Sequence, residues 1–111
     1  RARGVTVVAN IFATSIADFV TIAKRLDVES GVHAIELNVS CPNVAKGGLE
    51  FGVDPKMSAA VTSEVKAATR LPVWVKMSPE AGNLKAVAKA CEEAGADALT
   101  AINNAVAWIA P

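Results

Sequence analysis

The sequence predicts an α/β fold on parallel strands, a partial (β/α)8 barrel, and three observations predict it. Apolar β-branched runs alternate with stretches of helical spacing along the 111 residues. Helix-start signals stand in the connections between them, and the strand segments are too apolar on both faces for a solvated sheet.

The first run, GVTVVANIF (4–12), is bounded by Gly4 and by Thr14 and Ser15 and reads as a buried strand. Ser15 with Asp18 three residues on resembles a capping box, and Ile16, Phe19, Val20, Ala23 and Leu26 recur at helical spacing. Gly31 is expected to stop that helix. HAIELNVS (33–40) is the second strand. After a Gly-rich loop, GGLEFG (47–52), Asp54 and Pro55 supply an N-cap and a first-turn proline for a helix to about Thr69. LPVWVKMSP (71–79) is the third strand. Asn83 then caps a helix whose Leu84, Val87, Ala88 and Cys91 share a face, and Gly95 ends it. DALTAINN (97–104) is the fourth strand.

Four strands separated by three helices imply parallel βαβ units, because a parallel neighbour needs a crossover and a helix supplies it. A doubly wound sheet and a barrel both satisfy this. A whole barrel takes about 250 residues, so the chain is at most half of one. It begins at Arg1 rather than Met, ends at Pro111 soon after a strand, and has no Gly-rich first turn of the dinucleotide type. These features favour an internal part, residues 1–111, of a single barrel domain.

Composition narrows the function. Eleven basic and eleven acidic side chains give zero formal charge, which argues against a sequence-independent nucleic-acid binder. No apolar run approaches the roughly 18 residues that span a bilayer, and no signal-peptide pattern follows the first residues, so a cytoplasmic protein is expected. Two cysteines, Cys41 and Cys91, and one histidine, His33, suggest neither a disulfide framework nor a zinc site.

Strand alternation shows where polar groups point. In the second strand Glu36, Asn38 and Ser40 share one face and Ile35, Leu37 and Val39 the other. In the third, Trp74, Lys76 and Ser78 oppose Val73, Val75 and Met77. Asn10 lies on the face of Thr6 and Val8, and Asn103 follows Leu99 and Ala101. The strands thus deliver amides, a thiol and an amine near their C-terminal ends, where barrels place active sites.

Four segments, ELNVSCPN (36–43), GGLEFGVDP (47–55), LPVWVKMSP (71–79) and GADALTAIN (95–103), resemble the core of the class 1 dihydroorotate dehydrogenases, and the loop most resembles subclass 1B. The resemblance implies strands three to six of an FMN-binding barrel that oxidises dihydroorotate to orotate in pyrimidine synthesis. It implies that Cys41 is the base removing the C5 proton while a hydride leaves C6 for flavin, on a loop that closes over the substrate. Asn38 would touch flavin and substrate together, and Asn43 would hold the substrate. Lys76 would lie by the N1 and O2 edge of the isoalloxazine, where a cation stabilises the anionic reduced ring. Asn10 and the Ile102 backbone would contact flavin, and Asn103 with Asn104 would close the substrate site. A homo-oligomer is implied, and for subclass 1B a second subunit carrying FAD and an iron–sulfur cluster; subclass 1A would use fumarate. The sequence departs from the family after Asn103, where NAVAWIAP puts Asn104 for threonine and Trp108 in the run. Strands one, two, seven and eight, with the turns that grip the flavin phosphate, have no counterpart here.

Plainer readings stand beside these. Cys41 fits a small buried hydrophobe, Lys76 a strand-end lysine reaching solvent, and Asn38, Asn43, Asn103 and Asn104 turn residues. Ser40 and Ser78 fit groups that satisfy backbone, Cys91 belongs to the core, His33 caps or faces solvent, and Gly47 with Gly48 suits a flexible lid. Two other functions are compatible with the pattern. One is the pyrimidine-reducing FMN domain of dihydropyrimidine dehydrogenase, which usually has histidine where Asn43 stands. The other is an inactive half-barrel with two raw sheet edges.

Overall fold

A computed structural model of the chain describes residues 4–102. Its elements in chain order are β1 (Val8–Ile11), α1 (Ile16–Asp27), β2 (Ala34–Asn38), β3 (Pro42–Asn43), β4 (Leu49–Glu50), α2 (Pro55–Ala68), β5 (Val73–Lys76), α3 (Leu84–Glu93) and β6 (Ala98–Thr100). β1, β2, β5 and β6 form one parallel sheet in that order, so each helical crossover advances by one strand and the order never reverses. That is the winding of a barrel segment; a doubly wound sheet reverses direction at a switch point.

Each helix starts where the sequence supplies a cap. Ser15 Oγ accepts from the Asp18 N–H, Asp54 Oδ1 from Lys56 with Pro55 in the first turn, and Asn83 Oδ1 from Ala86. At the end of α3 the Ala96 N–H reaches back to the Cys91 carbonyl while Gly95 takes φ 109°, the left-handed stop that glycine permits.

The core lies between the sheet and its helices. α2 packs on both α1 and α3. Ile35, Leu37, Val73 and Val75 are fully buried, as are Phe19, Ala23, Val61, Val65, Val87 and Cys91 from the helices. Burial of each valine- or leucine-sized side chain contributes about 1.5–3 kcal/mol relative to exposure. The alternation in β2 and β5 therefore sorts residues as expected, apolar under the helices and polar on the opposite, concave face.

Several boundaries differ from the expected ones. The first strand begins at Val8 rather than residue 4. Below it, Val7 and His33 exchange two bonds, the His33 N–H to the Val7 carbonyl and the Val7 N–H to His33 Nδ1; the half-buried histidine thus caps a backbone N–H, as one of its two expected roles has it. α1 stops at Asp27, four residues before Gly31, because the Asp27 carboxylate is held by the Thr69 hydroxyl (2.7 Å) and the Arg70 N–H (2.8 Å) beyond the end of α2. The expected loop at 47–52 contains strand β4, which pairs antiparallel with β3 in a small hairpin. The last strand ends at Thr100, and the expected positions Asn103 and Asn104 lie outside the described residues.

Two carboxylates brace the crossovers. The Thr69 hydroxyl and then the Arg70 N–H hold the Asp27 carboxyl below its ordinary pKa, and the Lys66 ammonium (2.6 Å) and then the Val73 N–H (2.8 Å) do the same for Asp97. A carboxylate with a lowered folded pKa stabilises the fold above its unfolded value of about 3.9 and loses that contribution as pH falls through the folded one. Thermal melts of the full-length protein should show stability dropping as pH falls below about 4. The Asp27→Asn/Asp97→Asn double variant should be less stable at neutral pH and show a shallower acid decline.

Candidate active site at the strand C-termini

The concave face carries a level array of polar side chains. Asn10 is opposite Glu36 in the β1–β2 ladder, Asn38 opposite Lys76 in β2–β5, and Lys76 opposite Thr100 in β5–β6. Three of the residues expected at the site, Asn10, Asn38 and Lys76, are thus neighbours on one surface. Ile102 follows at the exit of β6, partly exposed.

Hydrogen bonds fix which atoms this surface offers. Asn38 Oδ1 accepts the Ser40 N–H (3.1 Å) and Asn43 Oδ1 accepts the Ala45 N–H (3.0 Å). A backbone N–H needs an acceptor, so both amides turn their carbonyl inward and leave Nδ2 as the donor. Asn10 is reversed: its Nδ2 donates to Glu36 Oε1 (2.8 Å), which leaves Oδ1 as an acceptor. Asn38 Nδ2, Asn10 Oδ1 and the Lys76 ammonium therefore share one face, and among the described residues no ion pair involves Lys76; the buried Asn43 instead lines a pocket with Ile16 of α1 and Met57 and Ala60 of α2. The turn reading and the site reading of Asn38 and Asn43 are compatible, since each role uses a different amide atom.

Cys41 follows the end of β2 by three residues and is buried in the core cluster with Ile11, Ala13 and Phe51, as the plainer reading expects. The β3–β4 hairpin seats it: the Phe51 N–H donates to the Cys41 carbonyl (3.0 Å), the Gly52 N–H to the Val39 carbonyl (2.7 Å), and the Val44 N–H to the Thr14 carbonyl of the β1–α1 loop (2.9 Å). A Cβ on Gly52 would stand 2.8 Å from Val39 Cγ2 and 2.9 Å from Ser78 Cβ, so glycine is what lets the hairpin base close on the strand end. Glu50 Oε1 accepts from Ser78 Oγ (2.7 Å) and ties the hairpin to the β5–α3 loop. Burial pushes the Cys41 thiol above its ordinary pKa; the Ala13 backbone N–H works against this and the Glu50 charge adds to it.

The dihydroorotate dehydrogenase family model matches residues 1–109 of the chain. The chain belongs to the dihydroorotate dehydrogenase family. It is 48% identical over 102 residues to the "Dihydroorotate dehydrogenase B (NAD(+)), catalytic subunit" of Anoxybacillus flavithermus, covering 92% of this chain and 33% of that protein. With the "Dihydroorotate dehydrogenase A (fumarate)" of Lacticaseibacillus paracasei it shares 46% over 100 residues, covering 90% of this chain and 34% of that one. The chain thus spans about a third of the length of these curated relatives. Among solved structures, the carboxyl transferase domain of Rhizobium etli pyruvate carboxylase with pyruvate superposes on 88% of the chain and 17% of its own, with a TM-score of 0.63 and 18% identity, a likeness of fold alone.

Dihydroorotate dehydrogenases are flavoenzymes, and the donor set suits a flavin edge, which presents carbonyl and ring-nitrogen acceptors with a ring N–H donor. Ser40 Oγ supplies an independent mark. It is buried and has no hydrogen-bond partner among the described residues, contrary to the expectation that it satisfies backbone. A desolvated hydroxyl left so costs about 1–3 kcal/mol. Ser78 also does more than serve backbone, for it accepts from the Glu80 N–H (3.1 Å) while donating to Glu50. Sequence reasoning missed Glu36, Thr100 and Glu50 as site-forming groups. Only Glu36 left a signal, a carboxylate sharing the face of Asn38. Among the described residues no cluster of three metal-ligating side chains occurs, and no helix is long and apolar enough to cross a membrane.

Two outcomes check this geometry. Gly52→Ala should cost about 1–3 kcal/mol in denaturant titrations of the full-length protein through overpacking against Val39 and Ser78. Alkylation of Cys41, followed by mass spectrometry, should be slow at neutral pH and still accelerating above pH 9.0, the ordinary value from which the thiol is raised. Glu50→Gln, which keeps an acceptor for Ser78 and removes the charge, should move that rise to lower pH.

Proposed function

We propose that these residues belong to one FMN-binding barrel domain, and that the full-length protein oxidises dihydroorotate to orotate. One observation supports the reading: in a chain matched by the family over residues 1–109, Asn10, Asn38 and Lys76 share one face, and Cys41 follows Asn38 by three residues. FMN, when bound, supplies a two-electron acceptor for the hydride from C6. Cys41 takes the proton from C5, so the substrate loses H⁺ and H⁻ in all and gains a C5=C6 double bond. The base must be thiolate when it acts, and the raised pKa of the buried thiol puts the rate-limiting ionisation on the alkaline side.

The other residues bind and orient. Asn38 and Asn43 offer Nδ2 donors to substrate carbonyl or carboxylate oxygens, and the Asn38 donor also reaches the flavin. Lys76 opposes negative charge on the flavin pyrimidine edge. Asn10 Oδ1 and the Ile102 backbone take flavin contacts, and Asn103 with Asn104 complete the substrate pocket. The hairpin excludes water above the thiol, held down by Gly52 and the Ser78–Glu50 bond.

The test is turnover of dihydroorotate by the full-length protein loaded with FMN. Because the relatives' names divide between NAD(+) and fumarate, the assay includes fumarate, and separately NAD with an FAD and iron–sulfur subunit. Cys41→Ala should retain FMN and lose about 10²–10⁴-fold in kcat at neutral pH, the worth of a positioned general base. In the unaltered enzyme kcat/KM should climb with pH beyond neutrality. Unchanged turnover by the alanine variant sinks the assigned role of Cys41.

A further inference from the structure

Glu36 holds the two edges of the concave face together. Its Oε1 accepts from Asn10 Nδ2 on β1 and its Oε2 from Thr100 Oγ1 on β6, both at 2.8 Å. β1 and β6 are the edge strands of the four-stranded sheet, and β5 lies between β2 and β6. One carboxylate therefore reaches across β5, beside Trp74 and Lys76, to a hydroxyl two strands away. The curvature of the sheet makes that reach possible, because interior side chains of alternate strands converge in a barrel.

The chemistry of a carboxylate dictates what its partners present. An ionised carboxylate only accepts, so both neighbours must donate to it. The Asn10 amide is thereby locked with Nδ2 toward Glu36 and Oδ1 away, and the Thr100 proton is committed to Glu36 with the oxygen lone pairs left free. Without Glu36 the amide would be free to turn over and set its NH2 against a ligand N–H. Among the described residues neither Asn10 nor Thr100 makes another side-chain hydrogen bond that could hold it.

We infer that Glu36 is a positioning residue for the flavin: by holding Nδ2 of Asn10 it presents Asn10 Oδ1 as the acceptor for a flavin ring N–H. The inference rests on the reading of this face as an FMN site. It gives Glu36 no contact with substrate and no proton to move.

FMN affinity of the full-length protein tests it, measured by fluorescence quenching after the flavin is stripped. Asn10→Ala and Glu36→Ala should each weaken FMN by roughly tenfold or more, the scale of one hydrogen bond to a charged group. The double variant should bind no more weakly than the worse single one, because both remove the same oriented amide. An exchange of polarity provides a second test with isosteric side chains that preserve the fold. Asn10→Asp alone sets two carboxylates together and should weaken FMN. Adding Glu36→Gln lets the glutamine amide donate to the new carboxylate, whose other oxygen again accepts from the ligand, and should recover most of the loss. Unchanged affinity in Glu36→Ala, multiplying losses in the double variant, or no recovery in the exchange would each overturn the role of Glu36. If the unaltered protein binds no FMN, the functional reading itself falls and this inference with it; FMN binding that ignores Glu36 removes the inference alone.

Discussion

A parallel strand between helices and a concave interior has two faces with different solvents, and almost everything else follows from that division. In β2 the helix side takes Ile35 and Leu37, both fully buried, and Val39 just beyond the strand is buried too. Period-two alternation then leaves Glu36 and Asn38 no other place than the interior. A register slip of one residue would put a carboxylate and an amide under α1 and α2, where an unpaired charge costs several kcal/mol. The apolar core thus specifies the address of the polar groups, and the ladder pairs set their level on the neighbouring strands.

The polar face is ordered by groups that are themselves held. Asn38 spends its carbonyl on local backbone and Asn10 its NH2 on Glu36, which leaves one donor and one acceptor on the face that carries Lys76. Preorganisation of this kind costs nothing at the moment of binding, since the amides are already turned. The thiol is placed differently, on a hairpin seated by backbone bonds and by the absence of a side chain at Gly52.

How far the sequence speaks for itself depends on the range of the interaction that decides each element. The three N-caps are local, a side chain and an N–H two or three residues on, and Ser15, Asp54 and Asn83 all proved readable. So did the faces of β2 and β5, which depend only on alternation; in β6 the expected alternation is one residue out of phase, since Thr100 rather than Leu99 is level with Lys76 and donates to Glu36. The end of α1 was not readable, because Asp27 is drawn to Thr69 and Arg70 some forty positions away. The Glu36 clamp joins residues 26 and 64 positions apart, and nothing near Glu36 in the chain announces either partner. The short β3–β4 ladder was hidden for another reason: two residues per strand carry no period, and glycines at a turn look like mobility until pairing is seen.

The hairpin that carries Cys41 is built unevenly. At its base, Gly52 lies against Val39 and Ser78 with no room for even a methyl group, and Glu50 is bonded to Ser78. At its tip, Gly47 and Gly48 have open space around their Cα atoms, take positive φ, 71° and 89°, and are held by turn bonds to the Val44 and Asn43 carbonyls. An insertion at the 47–48 tip therefore lies farthest from the bonds that seat the thiol, while any change of length between 50 and 52 moves it. A lineage can remodel the part of this loop that greets solvent without disturbing the bonds that hold the Cys41 backbone.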